Sequence, residues 1–191
     1  MLPFLEGQYH KINLTFEVDI NLKPSLTQSS YIDPAIKSLP KTLTDKMDSK
    51  IPVIGFFDNS SIISFWNEKE KCYKFSEKWN GLYGEDLYIS FDKKKPKFRN
   101  EAYKVLKEKP TFVVFDLIKI LKSKTDYVSP LWQFSITKDE ENPIYIEFDN
   151  FDGSRKHAPP ELLMALLIKD HLKIIKEEIG EKPVEIGFIF F

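Results

Sequence analysis

The chain has 191 residues, 42% of them hydrophobic and 14% aromatic, with a formal net charge of -1. It is long enough to bury a real core as one domain and too apolar for a disordered segment. The charge balance excludes an overall attraction to nucleic acid or anionic membrane, and the single cysteine, Cys72, excludes an internal disulfide or a cysteine-based metal site.

The N-terminal MLPFLEGQYHK lacks the basic and long apolar regions of a signal peptide. No stretch approaches the ~18–20 apolar residues of a spanning helix. With one cysteine, these features lead us to expect a cytoplasmic protein.

Residues 11–22 alternate: Ile12, Leu14, Phe16, Val18, Ile20 and Leu22 are separated by Lys11, Asn13, Thr15, Glu17, Asp19 and Asn21. This pattern predicts a half-buried strand. Residues 23–50, rich in Pro, Ser, Thr and Lys, read mostly as loop with a short edge strand. Residues 51–57 predict a second strand, with Asp58-Asn59-Ser60 as turn chemistry. Residues 61–92 read as a meander with strands at 62–66, 72–75 and 87–91 and turns at Asn80-Gly81 and Tyr83-Gly84.

Residues 100–109 have helical composition, bounded by Pro110. A short apolar strand or loop (111–116) and a helical turn (117–121) follow. Segments 134–137 and 144–148 form a hairpin-like pair across 139–143. Residues 160–179 predict a long helix, with Pro159 and Pro160 at its start and Gly180 as C-cap. Leu163, Leu167 and Ile174 share one face, flanked by Leu166, Ile175 and Ile179. An apolar strand, 184–191, comes last. The order is that of a mixed α/β protein.

Chemistry-bearing residues are sparse. His10, His157 and His171 are far apart, and none pairs with Cys or His at metal-ligand spacing. Asp170-His171 reads as a partly exposed polar break in the long helix. The basic run from Lys93 to Arg99, with Phe91 and Phe98 nearby, reads as a solvated turn before a helix, which makes nucleic acid an unlikely partner. Trp66, Tyr73, Phe75, Trp79 and Tyr83 fit two readings, a partner surface or a local core.

Several motifs together resemble the seventy-kilodalton heat-shock chaperones. Lys109-Pro110-Thr111-Phe112-Val113-Val114-Phe115-Asp116 is similar to that family's N-P-x-N-T-V-F-D segment. Trp132-Gln133-Phe134 is similar to W-P-F, and Pro160-Glu161 through Gly180 to a P-E-E helix ending in L-G. Val184–Phe191 follows as a V-x-x-A-V-I-T-V-P strand would. Upstream, Ile51–Phe56 looks like T-P-S-x-V-A-F, and Val18-Asp19-Ile20-Asn21 sits where the family has I-D-L-G. The resemblance implies the first lobe of an actin-like ATPase, a ribonuclease H-like α/β fold with a mixed sheet and packing helices. It implies one unit over 1–191, with an inserted β-meander, or a divergent β subregion, at about 58–98. The sheet should contain residues 12–22, 51–57 and 184–190, with helix 160–179 packed across it.

The resemblance also locates what is missing. The family's first phosphate loop, D-L-G-T-T, needs Gly so that backbone N–H groups can close on phosphate. The matching run is Asp19-Ile20-Asn21-Leu22-Lys23-Pro24. Asp19 is the one residue left to stand for the family's metal-orienting carboxylate, as a degenerate nucleotide-site position. The family's catalytic lysine follows F-D-x, where this chain has Ile118, and Lys119 is one position on, about 100° around a helical turn. The second phosphate loop, adenosine pocket and hydrolytic threonine would lie beyond Phe191. The expectation is therefore a degenerate, truncated heat-shock-70-like lobe without ATPase activity, acting as a non-catalytic protein-interaction module with no cofactor. Its partners would be a chaperone, a co-chaperone or a second copy bound through Val184–Phe191, with no membrane. The alternative is a fragment of an active chaperone that uses ATP and Mg and is completed outside this chain.

Overall fold

Val53–Phe57 is a run of five buried residues, and such a strand needs cover on both faces. The computed structural model describes residues 7–122, 128–137 and 144–191. In chain order these carry β1 (Lys11–Val18), β2 (Pro24–Tyr31), α1 (Pro34–Lys46), β3 (Val53–Phe57), β4 (Ser60–Asn67), β5 (Cys72–Phe75), β6 (Glu85–Asp86), β7 (Ile89–Ser90) and β8 (Lys97–Phe98). Then follow α2 (Arg99–Glu108), β9 (Val113–Val114), α3 (Leu117–Lys122), β10 (Ser135–Thr137), β11 (Tyr145–Asp149), β12 (Arg155–Ala158), α4 (Pro160–Ile179) and β13 (Gly187–Phe190).

The main sheet has the order β13-β3-β4-β5, with β6 beside the start of β4. β13 runs parallel to β3, Phe188 opposite Ile54, whereas β3 and β4 form an antiparallel hairpin closed by Asp58-Asn59. The period of two then sorts the side chains. Ile54, Phe56 and Ile63 share a core with Leu163, Leu167 and Ile175 of α4. Val53, Phe57 and Ile62 share the other core with Ile36, Leu39 and Leu43 of α1. Helices thus lie on both faces, a mixed α/β arrangement. Two smaller sheets, β8-β7-β9 and β10-β11-β12, extend the first core.

The sequence reading needs four corrections. Residues 12–22 do not join the main sheet. Among the described residues β1 pairs with β2 alone, and all eight of its residues are exposed because no described layer covers either face. The stretch read as loop holds β2 and also α1, whose start is set by Asp33 Oδ1 accepting from Ala35 N at 2.9 Å and by Pro34 in the first turn. The segment expected as an insertion at about 58–98 supplies β4 and β5 of the main sheet itself. Asp170 and His171 are buried, at 5% and 0% exposure, in the middle of the apolar stripe of α4.

Other expectations hold. α4 spans 160–179 and ends at Gly180 in a left-handed conformation (φ 84°), and α2 occupies 99–108. β10 and β11 pair antiparallel as the expected hairpin, while the connection at 139–143 lies outside the described residues.

Gly84 shows how closely the pieces fit. Its φ is +73°, and a Cβ there would stand 2.2 Å from the Ser61 carbonyl oxygen. Backbone cannot yield as a flexible side chain does. We expect Gly84→Ala to destabilise the fold by about 2 kcal/mol or more, read as a lowered denaturation midpoint; an unchanged midpoint would refute this packing.

Candidate functional site

Ser61, the second residue of β4, is fully buried and must satisfy a hydroxyl away from water. Its Oγ lies 2.8 Å from His171 Nε2, and Trp79 Nε1 donates to Ser61 Oγ at 3.1 Å and to Ser61 O at 3.0 Å. His171 Nδ1 lies 2.7 Å from the Leu167 carbonyl, which can only accept. The proton therefore sits on Nδ1, Nε2 accepts, and the Ser61 hydroxyl donates to it. Every member of this network has a partner, and the rings of Trp79 and His171 lie 4.3 Å apart. A serine beside a histidine has the parts of a nucleophile–base pair. Here both are sealed in the core, so the arrangement is structural.

Beside Trp79, the Arg99 guanidinium lies 4.9 Å over the indole ring and its Nε is 3.2 Å from Asp170 Oδ2. Lys173 approaches the other oxygen at 3.6 Å. Arg99 opens α2 with φ 55°, a left-handed conformation that costs a non-glycine residue roughly 1 kcal/mol or more. Ion pairing and stacking hold it there.

Above this buried layer lies an open cleft of about 560 Å³. The β3–β4 turn, β6, the segment before β1 and the start of α2 line it, contributing His10, Phe57, Ser60, Tyr83, Glu85 and Tyr103 among others. His10 fixes one wall: its Nδ1 accepts from Asp33 N at 2.9 Å, so Nε2 carries the proton and donates to Leu82 O at 2.9 Å. Lys11 pairs with Asp58 at 3.0 Å, and the contact with that carboxylate raises the lysine's pKa. The Ser60 hydroxyl donates to Asp86 Oδ1 at 2.7 Å, and Leu87 N donates to Asn59 O at 2.8 Å. Burial raises the Glu85 carboxyl, opposed by the Arg99 charge and assisted by Asp86 and Asp170.

The turn also meets the segment after β9. Asn59 Oδ1 accepts from Asp116 N at 2.7 Å, and Asp116 Oδ2 accepts from Trp132 Nε1 at 2.8 Å. Asp116 has φ 59°. Burial pushes the neighbouring Tyr88 phenol up to about 12, with Asp86 adding to it.

The residues singled out from sequence are dispersed. Asp19 sits in the exposed β1–β2 turn, where its Oδ1 accepts from Asn21 N at 2.8 Å and Lys23 N at 2.9 Å. Lys119 is an exposed residue of α3. Of the basic run, Lys97 pairs with Asp92 at 2.8 Å and Arg99 turns inward, while Phe91 stacks on Phe148 at 4.1 Å. Lys93, Lys94 and Lys95 stay exposed in the turn before α2. Trp79 and Tyr73 are 1% and 2% exposed, which settles the aromatic group as mostly core. The cleft residues Glu85, Asp86 and Tyr103 were missed, and the one local signal was Tyr83-Gly84, which marks a close backbone approach.

Among the described residues, no three His, Cys, Asp or Glu come together as a metal site, and no helix is long and apolar enough to cross a membrane. Compared with known proteins, the chain matches no family model and no curated protein.

Burial lowers His171 from its ordinary 6.5 to about 4, outweighing the bond to the Leu167 carbonyl. Below the unfolded value, the unfolded chain binds a proton that the folded chain refuses. Stability is thus full above about pH 6.5 and falls as pH drops toward about 4, with a slope approaching ~1.4 kcal/mol per pH unit. Urea denaturation across this window should show the slope, and His171→Gln should flatten it. Equal slopes in both proteins would mean that His171 is not the group responsible.

Proposed function

We propose that this chain is a degenerate heat-shock-70-like lobe that works in the cytoplasm as a non-catalytic protein-interaction module. The observation that carries this reading is the β3–β4 turn, which joins the first two strands of the main sheet and touches Asp116 through Asn59. The family's first phosphate loop and its lysine segment must meet, and this turn meets Phe115-Asp116, whereas Asp19 lies on a separate hairpin. D-L-G-T-T then falls on Phe57-Asp58-Asn59-Ser60-Ser61. In the same register, T-P-S-x-V-A-F falls on Glu85–Phe91, and its strand, β7, pairs with β9 of the Thr111–Asp116 segment. No insertion at 58–98 is then required.

This register keeps two hydroxyls and loses the chemistry. Phe57 replaces the metal-orienting carboxylate, and Asn59 replaces the glycine. The Ser60 hydroxyl is spent on Asp86 and the Ser61 hydroxyl on His171. Asp58, Glu85 and Asp86 surround the turn with negative charge, which opposes a polyphosphate. The alternative, a fragment of an active ATP-dependent chaperone, requires the opposite balance.

What remains is surface for partners. Ile12, Leu14, Phe16 and Val18 make one apolar face of β1, with Leu26 opposite Phe16, and all five are exposed. An isolated two-stranded sheet is marginal in water, so this hairpin gains from being covered. β13 has β3 as its only strand neighbour among the described residues, and its Phe188 and Phe190 are exposed. Edges of this kind pair with other chains.

Calorimetry with Mg-ATP should give no sub-millimolar binding; an affinity in that range overturns the non-catalytic reading. Sedimentation velocity should show concentration-dependent self-association that Phe190→Glu weakens. A strictly monomeric wild-type chain removes β13 as a self-association edge.

A further inference from the structure

We propose that the β1–β2 hairpin of one copy adds to the open edge of β13 in a second copy, pairing antiparallel through β1. This names the partner of the two surfaces described above, and it rests on reading the chain as a protein-interaction module.

Backbone bonds show which residues of each strand look outward. Gly187 N donates to Pro52 O at 2.8 Å and Phe191 N to Phe56 O at 3.0 Å. Successive residues of a strand turn their N–H and C=O groups to opposite sides, so those of Phe188 and Phe190 point to the open edge. At the hairpin tip, Asp19 N donates to Lys23 O at 3.1 Å, and the odd-numbered residues of β1 therefore bond to β2. Ile12, Leu14, Phe16 and Val18 turn their backbone groups away from β2, and they are also the apolar residues of β1.

That coincidence sets how the two edges fit. In an antiparallel pair, residues that exchange bonds sit directly opposite and project from the same face. Such pairing puts the apolar side of β1 beside Phe188 and Phe190. In a parallel pair the bonded residues are offset by one, and the polar side of β1 would land there instead. Next to Phe188 and Phe190 lies an apolar groove of about 330 Å³, walled by Ile118 and Leu121 of α3 and by Met164 and Ile168 of α4. The apolar side of β1 carries no charge into it. The other edge of the hairpin suits it less, because the outward residues of β2 are Pro24, which has no N–H, then Leu26, Gln28 and Ser30.

Area favours the same pairing. The exposed apolar residues of the hairpin and of the β13 edge together leave on the order of 1,000 Å² open, which is what a specific interface must clear. Two β13 edges facing each other would cover only the smaller part of it and leave the hairpin bare. Hairpin and edge are different surfaces, so the contact runs head to tail and closes only where the geometry brings it round.

The test is sedimentation velocity on the full chain, alone and in mixtures. The wild-type chain should associate as its concentration rises. Phe16→Glu, which disables the hairpin, and Phe190→Glu, which disables the edge, should each weaken association about tenfold or more, since each puts a charge into an apolar contact. Mixed in equal amounts, the two variants should form a dimer and nothing larger, because one keeps an intact edge and the other an intact hairpin. Leu121→Glu, in the groove wall and off β13, should replace Phe190→Glu in the mixture, and it carries the test if Phe190→Glu fails to fold. Undiminished association of Phe16→Glu overturns the proposal in favour of β13 against β13. Undiminished association of both edge variants overturns it in favour of hairpin against hairpin. Weakened variants whose mixture stays monomeric overturn it too, as does a monomeric wild-type chain. Each of these results leaves the interaction-module reading standing for other partners; binding of Mg-ATP is what overturns that reading.

Discussion

The buried hydroxyl of Ser61 must donate and accept at once, and the elements around it are arranged to let it do so. Trp79 supplies the donor and His171 the acceptor, so a short turn after β5 and the middle of α4 are both fixed against β4. In a low-dielectric interior, an unmatched group of this kind costs on the order of 1–3 kcal/mol, so the three residues constrain one another strongly. The consequence reaches outward. Gly84 can run against the Ser61 carbonyl only because it carries no side chain, and that approach sets β6 beside the start of β4. Glu85 and Asp86 reach the cleft through this packing.

The same economy governs the turn above. A phosphate loop presents free donors. In the β3–β4 turn the Ser60 hydroxyl is already matched to Asp86, and carboxylates surround it. Neither difference follows from residue type alone, since serines and an asparagine are reasonable loop residues. It is the pairing of the Ser60 hydroxyl with Asp86 that removes that donor from use, while the Asn59 side-chain oxygen is taken by the Asp116 N–H and its buried Nδ2 has no hydrogen-bond partner among the described residues.

Much of the fold was legible in the chain. The long helix was readable because prolines begin it, a glycine ends it and apolar residues recur between them. Val53–Phe57 was readable as a short apolar run bounded by turn chemistry. Strand alternation in 11–22 was also real, but the inference from alternation to burial failed, because periodicity reports which residues share a face and not whether anything covers it. Helix α1 was hidden by Pro40 inside it and by a composition rich in serine, threonine and lysine; Asp33-Pro34 was the readable cue. The site was less legible. Its carboxylates come from a two-residue strand, its aromatic walls from four separate segments, and Asp170-His171 reads as a surface break until the Arg99 and Ser61 partners are known.

β13 pairs in parallel with β3, from which about two thirds of the sequence separates it. Such a contact is costly to close early, since the entropy of the intervening loop must be lost before the pairing is gained. During synthesis β3 would be covered by β4 on one side and would wait with its other edge open until β13 emerged. The strand at the centre of the native sheet is thus the one most exposed to wrong pairings while the chain is being made. Folding order, rather than native stability, is where this architecture is vulnerable.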